Sequence, residues 1–548
     1  MEEGEYNGYK IEGTALTIKE SGVYVVSGSC ENGTVTVKKN VTGVTLVLNG
    51  LTLSASATAP ITCGKGSEVS IVAAAETVSS LSDDIYNNDE IYTDEAAYPD
   101  IENAVIKCKD GSNVTICGTG TINITANGKN GIKGGYDLYE EDEEGAATGT
   151  LLSEASLTVR EVTLNITASV DDGLKSDKEL NILSGNITVS AADDAVKCDY
   201  VMNIGEEGTE GPVISVVESK EGLEAATMNI YSGNITVNAA DDGINTANSD
   251  LTDYSYSYNQ YGGYVYVNVT NGDGVDSNGT IVLNGGTLEV YSPEQGDGDP
   301  LDSERGTYFN GTTVLAAGHL AMAQGYSADT AYVTFGNASG GRIGGFGGMG
   351  AGGNNLVSGG STIQITDESG NVLYSAKAVR GASYILFASP ELVSGAEYTL
   401  KNESDAVSTA AAVTGSAGGS GFGGWMQGGG KGGFQGTEPG NNDGSSRQPK
   451  EGSGYEGGFP GGNTGNRGQF PGQDGGQGHM RGGRKNGGFP GQVFENSDGM
   501  PAPSDMNGGG ASVMPGDGPD TLQVPEDGGT QEAPDKSGDN TGDDAGVI

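Results

Sequence analysis

The sequence predicts an all-β protein with the architecture of a β-solenoid, and three observations carry that prediction. A short phrase with an acidic pair recurs at intervals of 21 to 31 residues along the middle of the chain. Between its copies, apolar and polar residues alternate with a period of two and β-branched residues dominate, as in Asn186-Ile187-Thr188-Val189. Each interval holds short runs of this kind separated by Gly and Asx turns, which is typical of one solenoid coil.

The recurring phrase has the form acid, acid, small residue, aliphatic residue, variable residue, small residue. Its copies are DDGLKS (171–176), DDAVKC (193–198), KEGLEA (220–225), DDGINT (241–246), GDGVDS (272–277) and the looser GDPLDS (298–303), with KNGIKG (129–134) leading the series. Stacked coils bring equivalent residues into one column. Strand alternation directs the variable residue outward, which predicts an exposed column of Lys133, Lys175, Lys197, Glu224, Asn245, Asp276 and Asp302.

Composition limits the possible functions. Among 548 residues, 74 are acidic and 27 are basic, so the net charge is −47. This excess argues against binding of nucleic acid or of an anionic membrane surface, and a solvated acidic surface explains most of it. No hydrophobic stretch approaches the roughly 20 residues of a transmembrane helix. The five cysteines show neither zinc-site spacing nor a disulfide framework.

We divide the chain into five segments. Residues 1–135 are predicted to form N-terminal coils with an acidic insertion at 83–100, and residues 136–335 the regular coils with the Asp-pair repeat. A Gly-rich linker (336–360) precedes a small β unit (361–405) that caps the solenoid. The Gly- and Pro-rich tail (406–548) buries too little apolar surface to fold. The beginning of the sequence has no signal peptide and is typical of a chain whose leader is absent.

The stacked acidic pairs predict bound calcium. Carboxylates repeated at the strand spacing of ~4.8 Å repel one another unless a cation lies between them. Calcium takes about 6–8 oxygen ligands, which carboxylates and turn carbonyls supply. The predicted ligands are Asp171, Asp172, Asp193, Asp194, Asp241, Asp242, Asp273, Asp276, Asp299 and Asp302. In the alternative interpretation, Asp-Asp-Gly is only a turn sequence.

Several phrases resemble a known bacterial family. They are NITVSAADDAVK, NITVNAADDGI, the opening TIKESGVYVVSG and VTLVLNG, and the closing ASPELVSGAEYTL, and the resemblance covers roughly residues 10–405. The family consists of calcium-binding right-handed parallel β-helices that bind plant cell-wall polysaccharides, including cellulose and acidic polygalacturonate. It is similar in turn to family 9 pectate lyases, which share the β-helix and an aspartate-bound calcium. The resemblance implies a right-handed parallel β-helix, Ca2+, an extracellular or cell-surface location and a plant cell-wall polysaccharide as partner.

The first functional hypothesis is a non-catalytic carbohydrate-binding protein. Calcium on the solenoid face would bridge to uronate carboxylates, and tyrosine rings would stack on sugar faces. Alternation places Tyr254, Tyr256 and Tyr258 on one side of an extended strand, although these residues also fit a loop packed on the solenoid. The candidate carbohydrate-binding residues are Tyr254, Tyr256, Tyr258, Tyr261, Lys133, Lys175 and Lys197.

Two alternatives remain open. A calcium-dependent pectate lyase needs a base, and Lys175 and Lys197 are placed for that role. A lysine is a base only if its pKa falls well below about 10.4, and neighbouring acids oppose this unless calcium neutralises them. The second alternative is a cell-surface filament or adhesin whose chains associate through the solenoid or through the tail.

Overall fold

The computed structural model describes residues 3–142, 146–296, 298–321, 324–336 and 355–415. Over these ranges the chain is all-β and has no helix, with one large sheet and two small sheets of two and four strands. No described segment is therefore a helix long and apolar enough to cross a bilayer. Most of the predicted Gly-rich linker and the tail from residue 416 onward lie outside the described residues.

The large sheet consists mainly of three ladders of parallel strands, in which each strand pairs with one from the next repeat. The first ladder begins at the N-terminus with Ala15–Ile18. It continues through Thr34–Val37, Ile61–Cys63, Ala104–Cys108, Asn130–Gly134, Leu174–Ser176, Asp194–Ile204, Glu221–Ile230, Ile244–Thr246, Val275–Ser277 and Leu301–Ser303.

The other two ladders run alongside in the same chain order. The second contains Gly22–Cys30, Val44–Ser54, Glu68–Ala73, Asn113–Cys117, Ser156–Val159, Glu179–Ile182, the C-terminal parts of Asp194–Ile204 and Glu221–Ile230, Ser257–Gln260, Thr280–Leu283, Thr307–Phe309 and Tyr326–Ala328. The third contains the end of Val44–Ser54, Val78–Ser82, Thr121–Ala126, Thr163–Ala168, Asn186–Ala191, Val213–Glu218, Asn234–Ala239, Tyr264–Val269, Thr287–Tyr291 and Thr313–Gly318.

The remaining strands pair in antiparallel fashion. Gly4–Glu5 and Tyr9–Glu12 precede the first ladder, and Tyr384–Ala388 lies between Thr313–Gly318 and Tyr332–Gly336 at the end of the third. Leu138–Glu141 and Ala147–Ser153 form a hairpin. The four-stranded sheet consists of Thr362–Thr366, Val372–Lys377, Glu397–Asn402 and Asp405–Ala411.

The aliphatic position of the repeat forms a continuous column in the core. Its residues are all fully buried: Ile132, Leu174, Val196, Leu223, Ile244, Val275 and Leu301. In Leu174–Ser176 the first and third side chains are buried and Lys175 is partly exposed, as the predicted alternation requires. Burial of each aliphatic side chain contributes roughly 1.5–3 kcal/mol, so this column stabilises the ladder and fixes which residue faces outward.

The small residue after the acidic pair is required by close packing. An ideal Cβ at Gly243 would lie 2.2 Å from Val267 Cγ1 and 2.7 Å from the Gly274 carbonyl oxygen. At Gly274 it would lie 2.1 Å from Val290 Cγ1. Ala195 is the largest residue found at this position within the Asp-pair copies. The backbone therefore passes close to its neighbours directly after the acidic pair, and a larger side chain would not fit there.

Candidate functional site

The outward-facing residues of the first ladder form one row in a single register, which we call the central row. Its members are consecutive Cα partners: Thr36, Thr62, Lys107, Lys133, Lys175, Lys197, Glu224, Asn245, Asp276 and Asp302. The predicted column from Lys133 to Asp302 is confirmed as one register. The row changes from hydroxyl to ammonium to carboxylate groups along its length.

Sequence analysis missed Lys107 and the two threonines. Lys107 is not preceded by an acidic pair, so it did not match the recurring phrase. The segment Ile106-Lys107-Cys108 is nevertheless similar to Val196-Lys197-Cys198 in the second copy. That similarity is the signal that could have identified it.

Several acids of the repeat hydrogen-bond to the backbone of the next repeat. Asp172 Oδ1 accepts a hydrogen bond from Asp194 N at 3.1 Å, and Asp242 Oδ1 accepts one from Asp273 N at 2.6 Å. Asp273 Oδ1 in turn accepts one from Asp299 N at 2.5 Å. These carboxylates therefore hold successive turns in register, and this structural role accounts for part of the repetition.

Acidic side chains converge in three places where their oxygens lie within 4.8 Å of one another. We name these the Asp171 cluster (Asp171, Asp172, Asp193), the Asp194 cluster (Asp194, Glu221, Glu224) and the Asp273 cluster (Asp273, Asp276, Asp302). Among the predicted metal ligands, the structure places Asp241, Asp242 and Asp299 outside these clusters. Glu221 and Glu224 are members that the metal prediction did not include.

Lysines neutralise the Asp171 cluster. Lys175 Nζ lies 3.1 Å from Asp172 Oδ2, and Lys129 Nζ lies 3.7 Å from Asp171 Oδ2. Lys220 Nζ lies 2.9 Å from Asp193 Oδ1. Each carboxylate of the cluster thus has its own ammonium partner, and the need for a metal cation there is smaller.

The Asp194 cluster is neutralised in part. Lys197 Nζ lies 2.5 Å from Asp194 Oδ2 and 2.9 Å from Glu224 Oε2. Asp194 is 1% exposed, and its other carboxylate oxygen, Oδ1, is buried without a hydrogen-bond partner. Burial raises the pKa of the Asp194 carboxyl, and the charge of Lys197 opposes this rise.

The ion pairs decide the protonation of the two candidate lysine bases. Burial by itself lowers the pKa of each lysine. The charge of Asp172 outweighs burial at Lys175, and the charges of Asp194 and Glu224 outweigh it at Lys197, so both pKa values rise above the ordinary lysine value. Both lysines are therefore protonated at neutral pH, and their ion pairs disfavour either one as the base of a lyase.

The Asp273 cluster has no such compensation. None of the ion pairs among the described residues involves Asp273, Asp276 or Asp302. Burial, followed by the charges of nearby aspartates, raises the pKa of Asp273 to about 8 and that of Asp276 to about 7. Asp302 Oδ1 accepts a hydrogen bond from Gln324 Nε2 at 2.9 Å. The donor set consists of oxygen atoms and suits a hard divalent cation.

A lysine substitution tests the role of the ion pairs. We expect Lys197→Met to lower the free energy of unfolding by about 3–5 kcal/mol, because it leaves the buried Asp194 and the half-buried Glu224 without a counter-charge. Lys220→Met is the matched control and should cost about 0–1 kcal/mol, since that lysine side chain is 51% exposed. Chemical denaturation of both variants measures the difference. If both variants lose the same free energy of unfolding, the ion pairs of Lys197 do not stabilise the protein more than the exposed pair of Lys220 does.

The tyrosine segment does not form the predicted platform. Tyr258 is fully buried in the core, so its assignment to an exposed ring surface is wrong. The ladder register of Ser257–Gln260 directs it inward, whereas an isolated segment could have turned either face to solvent. Tyr256 donates its hydroxyl to the carbonyl oxygens of Asn248 and Leu251, at 2.6 and 2.9 Å, and so secures its own loop.

The other two tyrosines differ in exposure. Tyr254 is half-buried, and its hydroxyl lies 3.1 Å from Thr227 Oγ1. Tyr261 is 47% exposed, and its ring stacks on Tyr231 with centroids 5.1 Å apart. Tyr261 therefore presents a ring to solvent, as does Tyr264 in the same segment, and Tyr231 was not among the predicted residues.

Two comparisons with known proteins found a match. The model of a family described as "Carbohydrate-binding domain-containing protein" matches residues 12–253. The chain is also similar to a solved structure titled as the polysaccharide lyase-like protein from C. thermocellum, gadolinium derivative, with 20% sequence identity and a TM-score of 0.31. That likeness covers 56% of this chain and 90% of the other. No curated protein matches the chain.

Proposed function

We propose that the protein is a non-catalytic carbohydrate-binding protein, folded as a right-handed parallel β-helix, whose central row faces the ligand. The observation that carries the proposal is the single register of the row from Lys107 to Asp302. A row with one functional group per strand, ~4.8 Å apart, matches an extended polymer better than a small compact ligand. The family description over residues 12–253 supports a carbohydrate.

The proposal includes calcium at the Asp273 cluster. Three carboxylates converge there without an ammonium group. Burial, followed by repulsion from nearby aspartates, raises the pKa of Asp273 and of Asp276, and a divalent cation would relieve the repulsion. The ion would also accept carboxylate oxygens from a ligand. A surface of net charge −47 would otherwise repel an acidic polymer, so the cation makes such a ligand compatible with this face.

We propose plant cell-wall polysaccharide as the ligand class, either acidic pectin-type polymer or cellulose, and an extracellular or cell-surface location. Lys133 and its neighbours in the row supply positive charge for the acidic polymer. The exposed face of Tyr261, backed by Tyr231, supplies an apolar ring for a neutral chain. The sequence phrases that resemble calcium-binding β-helices favour the same assignment.

One experiment tests binding against catalysis. The full chain is incubated with insoluble polygalacturonate or cellulose in calcium, and the bound fraction is measured together with the absorbance of unsaturated product. We expect retention on at least one polymer without product, because Lys175 and Lys197 are held protonated by their ion pairs. Product formation would overturn the non-catalytic assignment, and retention on neither polymer would overturn carbohydrate binding.

A further inference from the structure

A groove of about 600 Å3 opens beside the N-terminal end of the central row. Four lysines contribute to its lining, Lys38, Lys39, Lys65 and Lys109, together with hydroxyl groups of threonines that include Thr36 and Thr62. Two acids, Asp100 and Glu102, line it as well. In a chain with 74 acidic and 27 basic residues, this lining has the opposite balance of charge.

Two of the four lysines are available to a ligand. Lys65 Nζ lies 3.0 Å from Asp110 Oδ2, and Lys109 Nζ lies 2.6 Å from Glu102 Oε1. Lys38 and Lys39 are adjacent and exposed, and neither forms an ion pair with any residue that the structure describes. The groove therefore presents two ammonium groups that form no ion pair with a carboxylate of the described residues.

The central row continues the positive charge beyond the groove. Thr62 is the Cα partner of Lys107, which is the partner of Lys133. Lys107 is half-buried and has no ion pair among the described residues. Burial, and then the charge of Lys133, lowers the pKa of Lys107, so an incoming anion would relieve an unfavourable environment.

The acidic insertion forms the wall of the groove. Along one short segment, Asp100 and Glu102 line the groove, whereas Pro99 and Ile101 line a neighbouring pocket of about 540 Å3. Neighbouring residues of this segment therefore face two different cavities. The insertion thus makes the groove concave, and the threonine hydroxyls on its floor are suitable hydrogen-bond partners for sugar hydroxyls.

We propose that this groove is a second glycan site, which binds the carboxylate groups of a uronate polysaccharide directly through Lys38 and Lys39 and without calcium. The inference rests on the proposed polysaccharide ligand, but it assigns the recognition to ammonium groups rather than to a metal. The two ends of the row then bind the same polymer by different means. At the N-terminal end, protein ammonium groups bind the carboxylates of the polymer directly. At the other end, the carboxylates of the Asp273 cluster bind a cation, which in turn binds the carboxylates of the polymer.

The test measures the affinity of the full chain for soluble polygalacturonate in the presence of a chelator. We expect binding that weakens as salt is added, and at least 10-fold weaker binding by the Lys38→Glu/Lys39→Glu variant. Lys377→Glu/Lys401→Glu is the control with the same change of charge outside the groove, and it should stay within about 2-fold of the parent chain. The methyl-esterified polymer, which lacks the carboxylate charges, should bind at least 10-fold more weakly than polygalacturonate.

Each contrary outcome is distinct. Binding that requires calcium would overturn the groove proposal and leave the proposed function intact. If the Lys38→Glu/Lys39→Glu variant and the control variant bind equally well in chelator, the site lies elsewhere and the proposal is overturned. Failure to bind polygalacturonate or cellulose under any condition would overturn the proposed function itself. Thermal unfolding of the Lys38→Glu/Lys39→Glu variant must match the parent chain, which is expected because both lysines are exposed.

Discussion

Between pH 5 and pH 8, in the presence of a chelator, the free energy of unfolding is expected to fall by on the order of 4 kcal/mol. The groups responsible include Asp273, with a pKa raised to about 8, Asp276, raised to about 7, and Asp242, raised to about 6. Asp194, with a pKa raised to about 8, contributes as well. Burial is the largest cause in each case, and neighbouring acids add to it. The midpoint of thermal unfolding should fall by roughly 5 °C or more over this range.

The sign follows from proton binding. An aspartate in the unfolded chain releases its proton near pH 3.9, whereas Asp273 and Asp276 keep theirs in the folded state until pH 7–8. The folded state therefore binds more protons across the window, and its stability falls as pH rises. At a pH below the pKa of the unfolded aspartate, the contribution of these protonated groups to stability is fully present. It is lost as the pH rises through the pKa values of the folded state.

The Asp276→Asn variant supplies the control. Its neutral side chain cannot ionise, so the decrease in stability between pH 5 and pH 8 should be smaller than in the parent chain. Asp329→Asn, at an exposed position, should leave the decrease unchanged. Parallel pH profiles for the parent and Asp276→Asn would contradict the assignment of the decrease to this cluster.

Calcium at pH 8 is expected to reverse most of this loss. The ion replaces mutual repulsion among Asp273, Asp276 and Asp302 with attraction, so the ionised carboxylates become the favoured form. A ligand present at 100 times its dissociation constant stabilises the folded state by about 2.7 kcal/mol. Thermal unfolding and calorimetric titration with Ca2+ measure the stabilisation and the number of ions.

Paired variants locate the ion. Asp276→Asn/Asp302→Asn should remove most of the calcium-dependent stabilisation, whereas Asp250→Asn/Asp329→Asn, which removes two exposed charges, should retain it. Full stabilisation of the first variant would exclude the Asp273 cluster as the site. We expect the Asp171 and Asp194 clusters to contribute less to the calcium-dependent stabilisation, because Lys175 and Lys197 already form ion pairs there.

The sequence predicted the repeat and the outward column because both follow from local rules. Alternation decides which side of a strand Leu174 and Lys175 occupy, and the recurring phrase decides which residues are equivalent. These two rules together were enough to predict which residues are neighbours along the first ladder. The acids were correctly placed in neighbouring turns for the same reason.

The balance between ion pairs and metal sites could not be predicted in this way. Whether Lys175 reaches Asp172 depends on side-chain conformation and on burial. The fate of Tyr258 depended on the register of one short strand within a tyrosine-rich loop. The groove brings Lys38 and Lys39 beside Lys109, far along the chain, and such a juxtaposition leaves no trace in local sequence patterns.

Antiparallel strands lie at the start of the first ladder and at the end of the third. Tyr9–Glu12 pairs with the first strand of the first ladder, and Tyr384–Ala388 pairs with the last strand of the third. A second chain meets an antiparallel strand at either place and cannot continue the parallel hydrogen-bond pattern end to end, which disfavours growth of filaments by stacking. Duplication of an internal repeat would lengthen the row in descendants, and each duplication would add one position along the polymer.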